Sequence, residues 1–147
     1  MRWVARTGHV ILTGTTDTIL VSLRRAAEAL ELGYSVCVFP EGAITRDGNL
    51  QRPRPGAAIL ACELNLPVVP VLMRGTYDAF SYAHPGLHRC AAGITVGAPI
   101  APPTRSEFGN ADYAALTAAW REAIARLRAE DDASGSRTAG RSPRVQA

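Results

Sequence analysis

Short apolar runs alternate with stretches of helical periodicity along the first half of the chain, and this alternation limits the fold more than any other feature. Gly8-His-Val-Ile-Leu-Thr13 and Tyr34-Ser-Val-Cys-Val-Phe39 read as buried strands, and Pro67-Val-Val-Pro-Val-Leu-Met73 reads as a third. The two prolines of the third place it at an edge or a strand end. Between the first two runs, Ile19, Leu20, Leu23, Ala27 and Leu30 share one helical face, with Arg24, Arg25, Glu28 and Glu31 on the other. Asp17 or Thr18 can cap that helix, and Gly33 stands where a left-handed C-terminal residue ends one. A second, short helix is expected over Gly56 to Asn65. The order strand, helix, strand, helix, strand implies right-handed crossovers, hence an α/β fold with a largely parallel (mixed) sheet flanked by helices.

The second half is less regular. Residues 74–92 carry no periodicity, Gly93-Ile-Thr-Val-Gly97 reads as a fourth strand, and Ala98 to Pro103 leaves it in an extended turn. Within Ser106 to Glu130, Tyr113, Leu116, Trp120, Ile124 and Leu127 recur three and four apart, the spacing of a helix packed on a core. Arg121, Arg126 and Arg128 alternate with Glu122 and Glu130 on its polar face, unlike a basic membrane-surface helix, so packing on the sheet is expected. From Asp131 onward Ser, Gly, Arg and Pro predominate, and a disordered tail over 131–147 is expected after a single domain over 1–130.

Composition removes several functions. All 16 basic residues are Arg, so neither a Walker phosphate loop nor a Schiff-base mechanism is available without Lys. The formal charge of +3 comes from Arg137, Arg141 and Arg144 in the tail, and the other 13 Arg are matched by 13 acidic residues. A nucleic-acid partner is therefore not expected. No G-x-G-x-x-G follows any strand, which weakens a nucleotide-binding reading. Cys37, Cys62 and Cys90 are widely spaced and odd in number, which argues against a disulfide framework or zinc, and no metal site is expected. No apolar run approaches the ~20 residues of a membrane span, and the start lacks a secretory apolar region. The expected location is the cytoplasm, with contact to the inner face of the cell membrane peripheral.

The chemistry concentrates in Pro40 to Pro55, a long polar connection leaving the carboxyl end of a strand, where ligands of open α/β sheets collect. Pro40 stops the strand, Gly42 permits a sharp turn and Asp47-Gly48 is a turn pair, which together project Glu41 and Arg46. Arg52 and Arg54 follow in the Pro-stiffened stretch Arg52-Pro-Arg-Pro55. Three guanidiniums at this spacing can clamp a phosphate through bidentate bonds. On composition alone, a solvated charged loop explains them equally well.

Phe39-Pro-Glu-Gly42, Arg46-Asp-Gly48, Gly56-Ala-Ala58, Leu66-Pro-Val-Val-Pro-Val71 and Gly75-Thr76, in this order and at these spacings, resemble the lysophosphatidic acid and glycerol-phosphate acyltransferase family. The Glu41-Gly-Ala-Ile-Thr-Arg46 variant is similar to modules fused to acyl-activating proteins. The resemblance runs from about Gly8 to Gly97 and implies a glycerolipid acyltransferase-like fold, incomplete at its N-terminus. It implies transfer of an acyl group from acyl-CoA or acyl carrier protein, as co-substrate and with no cofactor, to a lysophospholipid or glycerol-phosphate acceptor. It also implies acceptor contacts for Glu41 and Gly42, a phosphate ligand in Arg46, and site walls from Phe39, Pro40, Pro67 and Pro70, while Arg52 and Arg54 join the candidate site through their spacing alone.

Two departures bear on activity. The family's H-x-x-x-x-D motif, whose His takes the acceptor proton and whose Asp orients it, is absent: five positions beyond His9, His84 and His88 stand Gly14, Arg89 and Gly93. The family's Thr-Arg-Ser continuation is replaced by Ala43-Ile-Thr45 before Arg46. His9 reads as a structural residue at a strand start, and His84 and His88 as turn residues around Pro85-Gly86. The expectation is an acyltransferase domain begun downstream of its catalytic motif and impaired as written. The alternative is a non-catalytic module that binds lipid phosphates or partners an intact acyltransferase.

Overall fold

The computed structural model describes residues 19–80, 86–104 and 107–139. In chain order they form α1 (Ile19–Glu31), α2 (Gly56–Glu63), β1 (Val71–Arg74), α3 (Thr76–Ala79), β2 (Gly93–Val96) and α4 (Asn110–Ala139). The expected first strand at Gly8 to Thr13 and the Asp17 or Thr18 cap lie outside the described residues, as do His9 and His84.

The sequence expectation of a largely parallel sheet is not met among the described residues. Their one sheet has two antiparallel strands, with Val71 opposite Val96 and Arg74 opposite Gly93. The reason is the route between them. The chain leaves β1 at Gly75, turns through α3 and returns along the same edge, with no crossover to set a parallel neighbour. The pairing continues beyond the strands, where Val68 and Ile100 exchange backbone bonds of 2.9 and 2.8 Å and the Gly97 N–H donates to the Pro70 carbonyl at 2.8 Å.

Tyr34 to Phe39, expected to be a central strand, forms no strand, is exposed apart from half-buried Val36, and pairs with no strand among the described residues. β-Branched and aromatic residues favour a pleated surface, but a ladder needs a neighbour to supply its hydrogen bonds.

Helix α1 ends as its sequence indicates. The Tyr34 N–H reaches the Ala29 carbonyl and the Gly33 N–H the Leu30 carbonyl, both at 3.0 Å, which satisfies carbonyls that the helix leaves open. Its buried face is Ser22 and Ala26, and Leu20, expected inward, is exposed. Small residues permit close approach to α2, whose Gly56 lies against Leu23. Helix α2 ends at Glu63, two residues before the expected Asn65, which itself turns back at φ +50°.

The core forms where α2 meets α4. Ala58, Ala61, Cys62 and Leu116 are buried together, with Val68, Ile100, Phe108 and Tyr113 packed around them. The expected stripe of α4 is realised: Leu116 and Ile124 are buried, and Tyr113, Trp120 and Leu127 half-buried. Tyr113 donates its hydroxyl to Glu63 at the start of that stripe. The helix also runs further than expected, through Ala139, so residues 131–139 are helical where a tail was anticipated. Asp131 explains part of that extension. Its carboxylate is buried and lies 2.5 Å from Arg74 Nε at the end of β1, a close ionic contact without hydrogen-bond alignment.

Candidate functional site

The loop between Phe39 and Arg54 is closed at its base and stapled across its middle. The Arg54 N–H donates to the Pro40 carbonyl at 2.7 Å, joining the loop's two ends. The Gln51 N–H donates to Glu41 Oε2 at 2.6 Å, a charge-assisted bond across ten residues in a half-buried setting. One oxygen of Glu41 thus fastens the loop, a structural task that the sequence did not reveal.

Gly42 is required by geometry. It turns at φ +67°, where its N–H bonds the Phe39 carbonyl at 3.1 Å, and a Cβ there would stand 3.1 Å from Arg54 Nε. The Arg54 guanidinium therefore lies directly over the Glu41-Gly42 turn.

The arc beyond is ordered by Asp47. Its Oδ1 accepts the Asn49 N–H at 3.0 Å and its Oδ2 the Asn49 side-chain amide at 2.9 Å. The Thr45 hydroxyl lies 3.1 Å from Asp47 Oδ1 and 2.9 Å from the Asn49 carbonyl, and its single proton serves one of them at a time. These bonds to Asn49 and Thr45, the side-chain amide first, hold the Asp47 carboxyl below its ordinary 3.8.

A broad cleft of about 2100 Å³ opens between residues 34–50, the Pro67 to Tyr77 stretch and α4. Of the residues proposed from sequence, Phe39, Pro40, Glu41, Arg54 and Pro67 line it. Gly42, Arg46 and Arg52 do not, and Pro70 is fully buried rather than part of a wall. The guanidiniums of Arg46, Arg52 and Arg54 are exposed and make no hydrogen bond or ion pair among the described residues. With Glu41 and Asp47 on the same loop, they leave residues 40–55 with a net charge of one positive unit and three cations available to an anion.

Two further residues shape the site, one of which, Gly75, the sequence offered only as part of a motif. Tyr77 lines the cleft and donates its hydroxyl to the Arg46 carbonyl at 2.9 Å. Gly75, at φ +75°, lies so close to the β2 approach that a Cβ would fall 2.1 Å from the Ala91 carbonyl oxygen. The Gly75-Thr76 pair was the available signal for that corner, and nothing in the sequence linked Tyr77 to Arg46. Among the described residues no cluster of His, Cys, Asp and Glu could hold a metal ion, and no helix is long and apolar enough to cross a membrane.

Comparison with known proteins agrees with the motifs. The family model described as Acyltransferase matches residues 1–74. A chloroplastic 1-acyl-sn-glycerol-3-phosphate acyltransferase of Brassica napus is 41% identical over 54 residues, which are 37% of this chain and 16% of that protein. Another, from Arabidopsis thaliana, is 41% identical over 54 residues, 37% of this chain and 15% of that protein. A 1-acyl-sn-glycerol-3-phosphate acyltransferase of Limnanthes douglasii is 37% identical over 60 residues, 40% of this chain and 21% of that protein. The similar stretch thus spans about a fifth or less of each relative. No solved structure matches.

Proposed function

Because this chain belongs to the acyltransferase family, we propose that it serves acyl transfer to a glycerol-phosphate lipid and carries the acceptor side of that reaction. In the reaction an acceptor hydroxyl oxygen bonds to the carbonyl carbon of an acyl thioester. The carbon–sulfur bond breaks, the thiolate of CoA or acyl carrier protein leaves, and the hydroxyl proton passes to a base. The acceptor is a lysophospholipid or glycerol phosphate, in keeping with the names of the relatives. Glu41, Gly42, Arg46, Arg52 and Arg54 are its ligands, with Arg54 lining the cleft and Arg46 and Arg52 on the same loop outside that lining. Phe39, Pro40 and Pro67 face the remainder of the acceptor, and buried Pro70 supports them from behind.

The observation that carries this reading is the stapled loop itself: a Gly42 turn under the Arg54 guanidinium, beside a cleft, with three cations on one segment that are unpaired among the described residues. The proton step is different. No H-x-x-x-x-D occurs in these 147 residues, and a missing general base typically lowers the rate by about 10²–10⁴-fold. We therefore assign this chain retained acceptor binding with slow transfer, at the cytoplasmic face of a membrane and in peripheral contact with it. The same absent motif favours a second reading, a non-catalytic module that binds lipid phosphates or partners an intact acyltransferase.

Acyl transfer from long-chain acyl-CoA and from acyl carrier protein to lysophosphatidic acid tests the choice. Slow transfer whose KM rises in Arg46→Ala and Arg54→Ala supports the enzyme. Tight binding of lysophosphatidic acid with no turnover supports the module. Neither binding nor turnover would sink both.

A further inference from the structure

Tyr77 stands in the short helix after β1, 31 positions from Arg46 in sequence, yet its hydroxyl donates to the Arg46 carbonyl at 2.9 Å. Its ring lies over Gly48, where a Cβ would be 3.5 Å from Cδ1 and 3.6 Å from Cγ. That is ordinary contact distance, so the ring packs on the Gly48 backbone, and it is the left-handed turn at φ +77° that favours glycine there. The other bonds of the arc are local, joining Thr45, Asp47, Asn49 and Gln51 to one another. Among the described residues no other hydrogen bond or ion pair ties residues 45–49 to an element outside the loop. The Glu41 staple and the Arg54–Pro40 bond fix the base of the loop and leave the outer arc to Tyr77.

We infer that Tyr77 is the positioning residue of the acceptor site, fastening the Arg46–Gly48 arc to the β1–α3 corner. The tether acts on the backbone of Arg46 and leaves its side chain free to turn onto a phosphate. The corner it fastens to is itself held at two points. Gly75 packs against the Ala91 carbonyl, and Arg74 meets the buried Asp131 of α4. A loop arc held on such a scaffold keeps its cation within reach of the ligand, whereas an untethered arc must be ordered at each binding event. The role predicted is selective: Tyr77 matters for a ligand that bears phosphate and is indifferent to one that does not. It rests on the acceptor reading above, and the test separates the two.

The test uses the full chain and two soluble short-chain probes, hexanoyl-lysophosphatidic acid and the matching monohexanoylglycerol, with binding measured by calorimetry. Tyr77→Phe keeps the ring over Gly48 and removes only the hydroxyl. It is expected to weaken the phosphate-bearing probe about three- to tenfold, the ordinary worth of one hydrogen bond. Affinity for monohexanoylglycerol should not change, melting should fall by no more than about 5 °C, and amide exchange at residues 46–49 should quicken. Equal weakening of both probes would reduce Tyr77 to a structural residue and overturn the inference. So would a Tyr77→Phe chain that binds as wild type while the Arg46→Ala/Arg54→Ala pair loses its preference for phosphate; the acceptor reading would then stand without Tyr77. A wild-type chain that does not distinguish the probes would remove the acceptor reading and the positioning role together.

Discussion

Three glycines with left-handed backbones face three different surroundings, and replacing each by Ala separates backbone strain from steric conflict. Gly33 has φ +84° and nothing within 4 Å of where a Cβ would stand. Gly33→Ala therefore meets only the left-handed penalty of an L-residue, about 1–2 kcal/mol, partly offset by the stiffer unfolded chain. Gly42, at φ +67°, has the same penalty plus a 3.1 Å approach to Arg54 Nε. That neighbour is part of a long exposed side chain and can swing aside, so Gly42→Ala should cost no more than about 1–2 kcal/mol. Gly75, at φ +75°, would set a Cβ 2.1 Å from the Ala91 carbonyl oxygen, where contacts under 3.0 Å are essentially never seen. Backbone must move by roughly an ångström at the return to β2, and overpacking of this kind adds about 1–3 kcal/mol. Gly75→Ala should then lose about 2–5 kcal/mol, a large part of the 5–15 kcal/mol typical of a domain.

Urea unfolding of the three variants measures this directly, and melting should fall by roughly 3 °C per kcal/mol for a chain of this length. The order of damage is the prediction: Gly75→Ala well beyond the other two, which should agree within about 0.5 kcal/mol. A Gly75→Ala chain as stable as Gly33→Ala would refute the close approach of β1 and β2 at that corner. In addition, Gly42→Ala displaces Arg54 and should weaken phosphate-ligand binding more than its stability loss explains.

Other perturbations follow from single contacts. The Tyr113 phenol is pushed up to about 12 from 10.0, chiefly by the hydrogen bond it donates to Glu63 and then by desolvation and neighbouring negative charge. A raised folded value stabilises fully below pH 10 and is lost as pH climbs toward about 12. An ultraviolet phenolate titration should show Tyr113 ionising late, and Glu63→Gln should return it toward 10.0. Asp131→Ala should cost about 1–2 kcal/mol in chemical unfolding, less than a fully buried pair because Arg74 is half-exposed. Glu41→Gln keeps an acceptor for the Gln51 N–H and should melt within about 2 °C of wild type, whereas Glu41→Ala should lose about 1 kcal/mol.

The parts of this fold that sequence revealed are those set by local spacing. The stripe Tyr113, Leu116, Trp120, Ile124 and Leu127 needs only helical periodicity, and α4 buries that stripe. The stop at Gly33 and the turn at Gly42 follow from what glycine alone permits. Pairing partners were not legible. Tyr34 to Phe39 has the composition of a strand, but which chain lies beside a strand is decided at long range, and β1 pairs antiparallel with β2. The extension of α4 was hidden because Asp131 looks like a solvated charge until Arg74 is placed beside it. Within the site, spacing offered Arg46, Arg52 and Arg54 together, and the resemblance put Arg46 first. Tertiary structure ranks them, laying Arg54 over the Gly42 turn beside the cleft and leaving Arg46 and Arg52 outside its lining. Tyr77 fell in a stretch without periodicity, so its bond across the loop had no local signature.

Calorimetric binding of hexanoyl-lysophosphatidic acid and of monohexanoylglycerol to the same chain tests the acceptor site most directly. A charge-assisted hydrogen bond is worth about 1.5–3 kcal/mol, or roughly 10–150-fold in affinity. The chain should therefore bind the phosphate-bearing probe at least about tenfold more tightly, and the Arg46→Ala/Arg54→Ala variant should bind the two alike. Equal affinities in the wild-type chain, or a preference that survives removal of both arginines, would contradict the account.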